Sequence, residues 1–314
     1  MSLDADLLFD RRRLKRQLSF WRVAAIGAGL LAALVAFGSI SDTFERTHIA
    51  RLSVEGLILE DQSRDDAIRA AADDPKIAAL VVTINSPGGT VVGGEDLYRA
   101  LVKLGEKKPV VAVLGTLATS AAYMTAIAAD RVYAREGTTT GSIGVIMQTA
   151  EVTGLLGKLG ISAEAIKSSP LKAAPSPLEV LTPDARAAAR AVVDDMQVMF
   201  IGMVAERRKL DAATAQRLSD GRVYTGRLAL ATKLLDAIGD EAAARDWLER
   251  ERNIAKGLPV RALTIRRESA PFAGLASAIF GNTFLSEGLI LDGLGSVWHP
   301  DLTIGGPRGG HARR

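Results

Sequence analysis

IAALVVTINSPGG, residues 77–89, is the stretch on which the architecture turns. A short apolar run rich in β-branched residues and stopped by Pro and Gly has the length of a strand, and its lack of alternation marks a strand covered on both faces. Ile77–Asn85 is therefore expected as a buried strand, Ser86–Gly89 as a turn, and the residues to about Gly105 as a helix. The same order repeats on either side. His48–Leu59 has strand texture and Gln62–Asp73 a helical one; downstream come a strand at Pro109–Leu114, a helix at Ser120–Ala129 and an extended segment at Ile143–Thr149. Strands alternating with helices predict an α/β fold built of βαβ units, with a mostly parallel sheet and helices outside.

Leu155–Gly160 and Ile161–Lys167 are expected to close this core. Four prolines, Pro170, Pro175, Pro177 and Pro183, then fall too close together for regular structure and predict a loop. Thr182-Pro183 supplies an N-cap and a first-turn proline for a long Ala-rich helix to about Leu210. Helices at Ala212–Leu218, Arg227–Leu235 and Glu241–Arg252 follow, with a last strand at Pro259–Ile265.

The ends have a different character. Residues 23–40 (VAAIGAGLLAALVAFGSI) carry no charge and are long enough to span a bilayer, with Phe20 and Trp21 at the interface. Arg11, Arg12, Arg13, Lys15, Arg16 and Arg22 precede or border them, so the positive-inside rule predicts a cytoplasmic basic segment at 1–22, a transmembrane helix at 23–40 that anchors the protein in lipid, and an exported body. A cleaved signal peptide ending near Ala36-Phe37-Gly38 is the alternative. Residues 257–314 form a C-terminal extension whose apolar part, 271–298, is interrupted by Glu287 and Asp292. It is expected as a helix, packed on a neighbouring subunit, on the bilayer or in the core, and the Gly/Arg-rich tail beyond Gly305 as disordered.

Composition removes several functions. With no cysteine among 314 residues, disulfides, thiolate nucleophiles and iron–sulfur clusters are excluded. The net charge of +3 comes entirely from residues 1–22, because 33 residues of each sign remain after them. A neutral body with 5% aromatics has no surface of the kind that binds nucleic acid.

Two strand-to-helix junctions hold candidate chemistry. In Asn85-Ser86-Pro87-Gly88-Gly89, glycines free backbone N–H groups to face an anion, while the motif taken alone reads first as a structural turn; no phosphate-loop or dinucleotide pattern surrounds it. In Ala118-Thr119-Ser120-Ala121-Ala122-Tyr123, Ser120 is either a nucleophile at the strand ends or an N-cap. His48, His299 and His311 lie near the chain ends of this body, so a Ser-His-Asp triad is not expected. Lysine is the remaining base, and bringing its pKa from ~10.4 to near 7 takes about 4–5 kcal/mol of differential solvation, which requires a dry pocket. Lys167 and Lys172, beside the proline-rich loop, are both candidates, and either is also an ordinary surface lysine by composition. Ser169-Pro170-Leu171-Lys172 matches S-x-x-K, but S-D-N and K-T-G occur nowhere in the chain.

Taken together, N-S-P-G-G at 85–89, S-x-x-Y at 120–123 with A-A-D at 128–130, T-G-S-I-G-V at 140–145, I-K-S-x-x-x-K at 166–172 and D-G-R-V-Y-T-G at 220–226 resemble the signal peptide peptidase A family of serine/lysine peptidases in its short, single-repeat form. The resemblance covers roughly residues 50–255. It implies a crotonase/Clp-protease-like α/β spiral for the 48–256 peptidase domain, following the N-terminal transmembrane helix, and assembly into a ring-shaped homo-oligomer. Ser120 is implied as nucleophile, Lys172 as general base, and Ser142 as the residue that orients the lysine amine. The backbone N–H groups of Gly89 and Ala121 are implied as the oxyanion hole. Substrates implied are remnant signal peptides and similar short peptides, without metal or cofactor, in a bacterial inner membrane with the body in the periplasm. The family has Gly-Gly after the nucleophile where this chain has Ala121-Ala122, and the added methyl is expected to narrow the groove. A crotonase-like acyl-thioester enzyme and a catalytically inactive membrane scaffold are the alternatives from other classes.

Overall fold

The computed structural model describes residues 20–23, 25–27, 29, 47–265 and 294–297. The chain divides into Met1–Thr47 and His48–Arg314. In the first unit the described residues at 20–29 are helical, while most of the expected anchor at 23–40 lies outside the described residues. Among the described residues no helix is long and apolar enough to cross a membrane. Residues 271–293 and the tail beyond Gly305 also lie outside them.

The second unit is a mixed α/β fold around one sheet. Its strands are β1 (His48–Ile58), β2 (Ile77–Thr90), β3 (Val110–Thr119), β4 (Arg131–Ala134), β5 (Thr139–Gly141), β6 (Ile146–Met147), β7 (Val223–Thr225), β8 (Ala237–Ile238), β9 (Val260–Ala262) and β10 (Leu294–Val297). The main path runs β6-β10-β2-β3-β4-β8, with β1 also on β2 and β5 also on β3. The pairs β1/β2, β2/β3, β3/β4 and β3/β5 are parallel, as βαβ units require.

The unbroken apolar texture of residues 77–82 in β2 has a direct cause. Leu80, Val82 and Ile84 face one core with α1 (Gln62–Asp73), α2 (Val91–Gly105) and α3 (Ala121–Ile127), while Ala79 and Val81 face a second core built with Ala244, Trp247 and Leu248 of the helix at Glu241–Glu251. Helices cover both faces along residues 77–82, and that part of the strand has no polar residue. Each fully buried Leu or Ile there contributes about 1.5–3 kcal/mol.

Most expected elements are present: α1 and α6 (Ala212–Leu218) have the expected bounds, and α5 (Pro183–Arg208) starts from the Thr182 cap, whose side chain accepts the Ala185 N–H. Three expectations are corrected. Ser86–Gly89 is not a turn, because β2 continues to Thr90 through register shifts against β1 and β3. Residues 155–167 do not close the core: α4 (Thr153–Lys158) buries none of its residues, and none of residues 151–182 is buried. Finally, 294–297 within the expected C-terminal helix is a strand, paired antiparallel to β2 and β6. Gly295 and the β-branched Val297 suit extended backbone better than helix.

Candidate active site

Three neighbouring strands end together. Ser86 of β2 is level with Ala118 of β3, and Thr119 of β3 is level with Gly141 of β5. The N-S-P-G-G, Ser120 and T-G-S motifs therefore meet at the carboxyl edge of the sheet, where open α/β sheets hold their ligands.

Ser120 has φ 59° and ψ −124°, a backbone conformation that costs a non-glycine residue about 1–3 kcal/mol. Packing on both sides enforces it. The Ser120 N–H donates to the Gly141 carbonyl at 2.8 Å, and the Ser120 carbonyl accepts the Met124 N–H at 2.9 Å. The residue is 1% exposed, yet its side chain makes no capping bond to the helix it precedes. This disposes of the N-cap alternative. A serine held at a strained strand-to-helix turn with its hydroxyl uncommitted has the geometry of a nucleophile elbow.

The helix behind it, α3, is buried along its whole length. Arg207 of α5 closes its far end, donating from Nε to the Ile127 carbonyl at 2.9 Å and from Nη2 to those of Ala128 and Ala129 at 2.7 and 3.1 Å. A cation at a helix C-terminus also opposes the helix dipole favourably. Tyr123, one turn in, donates its hydroxyl to the Leu234 carbonyl at 2.8 Å, and burial pushes its pKa above the ordinary phenol range.

Gly89 is required by close approach. A Cβ there would lie 1.8 Å from the Ile58 carbonyl oxygen of β1. Gly88 and Ser120 each follow two residues after the last pair of the two strands, Ser86 and Ala118. The Ala121 N–H, at the first helical position, has no acceptor within its helix. Thr119 ties the two segments together by donating from Oγ1 to the Pro87 carbonyl at 2.9 Å. Sequence reasoning missed Thr119; its hydroxyl beside the candidate serine was the available signal.

The methyl of Ala121 does not narrow the groove as expected. A Cβ on Gly94 of α2 would stand 2.8 Å from the Ala121 Cβ, so the methyl occupies the space that Gly94 leaves between the two helices.

Ser142 also has positive φ, 49°, and its N–H donates to the Arg222 carbonyl at 2.8 Å. That bond draws in the D-G-R-V-Y-T-G motif, whose Tyr224 ring covers Gly141 so closely that a Cβ would meet it at 2.6 Å. Four of the five sequence motifs thus converge on one strand edge.

The fifth does not join them in the single chain. Lys172 is exposed in the loop after Pro170 and, among the described residues, has no side-chain hydrogen bond or ion pair. Lys167 is ion-paired with Glu179.

Comparison with known proteins places this arrangement. The profile described as peptidase family S49 matches residues 103–255. A protein of Synechocystis sp. whose name assigns it as a protease is 38% identical over 207 residues, covering 65% of this chain and 74% of that one. The chain belongs to peptidase family S49. This S49 protein, a member of the signal peptide peptidase A family, is a serine peptidase. It is also 28% identical over 279 residues to the chloroplastic serine protease SPPA of Arabidopsis thaliana, covering 84% of this chain and 39% of that one. Among solved structures, a ClpP1 variant from Listeria monocytogenes superposes with a TM-score of 0.40 at 15% identity, over 60% of this chain and 91% of the other.

Proposed function

We propose that this S49 peptidase is a membrane-anchored endopeptidase using a Ser120/Lys172 dyad to degrade remnant signal peptides and similar short peptides. The strained, buried and uncommitted Ser120 carries this reading. Neutral Lys172 takes the proton from Ser120 Oγ as the oxygen attacks the peptide carbonyl, and the N–H groups of Gly89 and Ala121 stabilise the oxyanion. The protonated amine then delivers its proton to the leaving amine. Water, activated by the same lysine, hydrolyses the acyl-enzyme. Ser142 orients the amine.

Such chemistry needs Lys172 desolvated, and a single chain leaves it exposed. The arm that carries it offers an answer, since Leu155, Leu159, Ile161, Ile166 and Val180 are all exposed on it. A second copy covering this apolar surface would dry the lysine, in keeping with a ring of identical subunits and a Clp-like spiral in each. The uncharged run at 23–40 and its basic flank support a single-pass anchor with the body in the periplasm of a bacterial inner membrane.

The test is hydrolysis of a Leu/Ala-rich peptide by the full chain in detergent. Ser120→Ala and Lys172→Ala are expected to abolish turnover while Lys167→Ala retains it; wild-type turnover in either of the first two refutes the dyad.

A further inference from the structure

The strand that delivers Ser120 loses step with its neighbour just before the site. Ile84 of β2 lies opposite Leu114 of β3, yet the next pair is Ser86 with Ala118. Asn85 alone therefore faces Gly115, Thr116 and Leu117, and β3 carries two residues more than β2 over this interval. On its other side β3 changes partner across the same stretch, from β4 at Leu114 and Ala134 to β5 at Leu117 and Thr139. Bulges beside active sites re-aim side chains or end pairing in this way. At about 3.3 Å per residue, the extra length amounts to roughly 7 Å. Without it Ser86 would lie opposite Thr116, and Ser120 would follow four residues after that pair instead of two. An oxyanion site works through contacts of about 3 Å, so a displacement of that size would take the serine out of it.

Two side chains hold the bulge. Asn85 Oδ1 accepts the Leu117 N–H at 3.1 Å, and a Cβ on Gly115 would crowd the Asn85 side chain at 3.1 Å, so the glycine lets the bulge lie close against the amide. From the opposite side, Thr138 Oγ1 donates to the Gly115 carbonyl at 2.7 Å and accepts the Arg135 N–H at 3.1 Å. Asn85 is exposed, and asparagine is a poor strand former, so neither packing nor propensity accounts for it in the middle of β2. Its acceptor oxygen does.

We propose that Asn85 is a positioning residue: by accepting the Leu117 N–H it fixes the Gly115–Leu117 bulge, and the bulge sets where Ser120 stands relative to Gly89. Asn85 acts through Ser120 and not on the substrate. The part concerning turnover rests on the peptidase reading above; the tie between Asn85 and the bulge does not.

The experiment compares full chains in detergent carrying Asn85→Leu or Asn85→Ala, which lack the acceptor, with Asn85→Asp, which keeps it. Glu55 and Glu241 line the same recess, so the assays run at high salt to screen the added carboxylate. Hydrolysis of the Leu/Ala-rich peptide gives kcat and KM, and hydrogen exchange read by mass spectrometry over residues 115–119 reports on the bulge without any turnover. Asn85→Leu and Asn85→Ala are each expected to lose about 10²-fold in kcat, the scale of an ångström's misplacement, with KM unchanged within about twofold. Both are expected to exchange about tenfold faster over residues 115–119 and as the wild-type chain elsewhere. Asn85→Asp is expected to match the wild-type chain in every reading. Unchanged kcat in Asn85→Leu and Asn85→Ala, a loss that falls on KM, or an Asn85→Asp chain as impaired as the other two overturns the proposal. A loss of kcat with exchange unaltered overturns it as well. If the wild-type chain itself hydrolyses no peptide, the peptidase reading fails, and the exchange comparison alone decides whether Asn85 holds the bulge.

Discussion

The strand-end platform of residues 85–142 and the arm of residues 151–182 are built on opposite principles. On the platform Ser86, Thr119, Ser120 and Thr140 are buried polar residues. The three hydroxyls other than that of Ser120 are engaged: Ser86 Oγ accepts the Gly88 N–H at 3.1 Å, Thr119 donates to Pro87, and Thr140 donates to the Ala118 carbonyl at 2.7 Å. On the arm no residue is buried, and apolar side chains face outward. A single chain therefore fixes the proposed nucleophile, whereas the proposed base depends on what the arm packs against. Half of the proposed pair is then a property of the fold, and half would be a property of the proposed assembly.

The sharpest way to break this contrast is at Ser120 itself. Ser120→Ala should lower peptide turnover by about 10⁴-fold or more, and Ser120→Gly should do the same while stabilising the fold by about 1 kcal/mol, because glycine has no steric cost at φ 59°. Denaturant melts that show Ser120→Gly to be less stable would mean that the backbone there is unstrained. Next in size is Gly89→Ala, whose methyl meets the Ile58 carbonyl. It should destabilise the body by about 3 kcal/mol in urea, as overpacking does. Tyr123→Phe leaves the Leu234 carbonyl unpaired in the core and should cost about 1–2 kcal/mol by the same assay. Leu159→Glu, on the arm, should change monomer stability by no more than about 0.5 kcal/mol. The same variant should shift the protein to smaller species in light scattering and reduce turnover. If it leaves both unaltered, the arm does not form the subunit contact.

The platform was largely legible in the sequence because its signals are local. The apolar run at 77–85, the glycines after it and Thr182-Pro183 each specify backbone over a few residues, and the helix bounds at Gln62–Asp73 and Ala212–Leu218 follow from such patterns. What escaped depends on partners distant in the chain. Ser86–Gly89 has the composition of a turn, yet Ile58 and its neighbours on β1 hold it extended. The apolar residues at 155–166 have the composition of a core, but none of them is buried among the described residues. β4 was missed because RVYA is short, and only its position beside Val111–Leu114 makes it a strand. Likewise, Thr119 and Arg207 matter through contacts to Pro87 and to residues 127–129 that no linear pattern records.

The fit of Ala121 against Gly94 couples two positions that are far apart in the chain. Bulk at the contact between α2 and α3 is limited, so a methyl gained on one helix is expected to require one lost on the other. Gly94→Ala should be tolerated only together with Ala121→Gly, and a relative with glycine after its nucleophile has room for a larger residue on the facing helix.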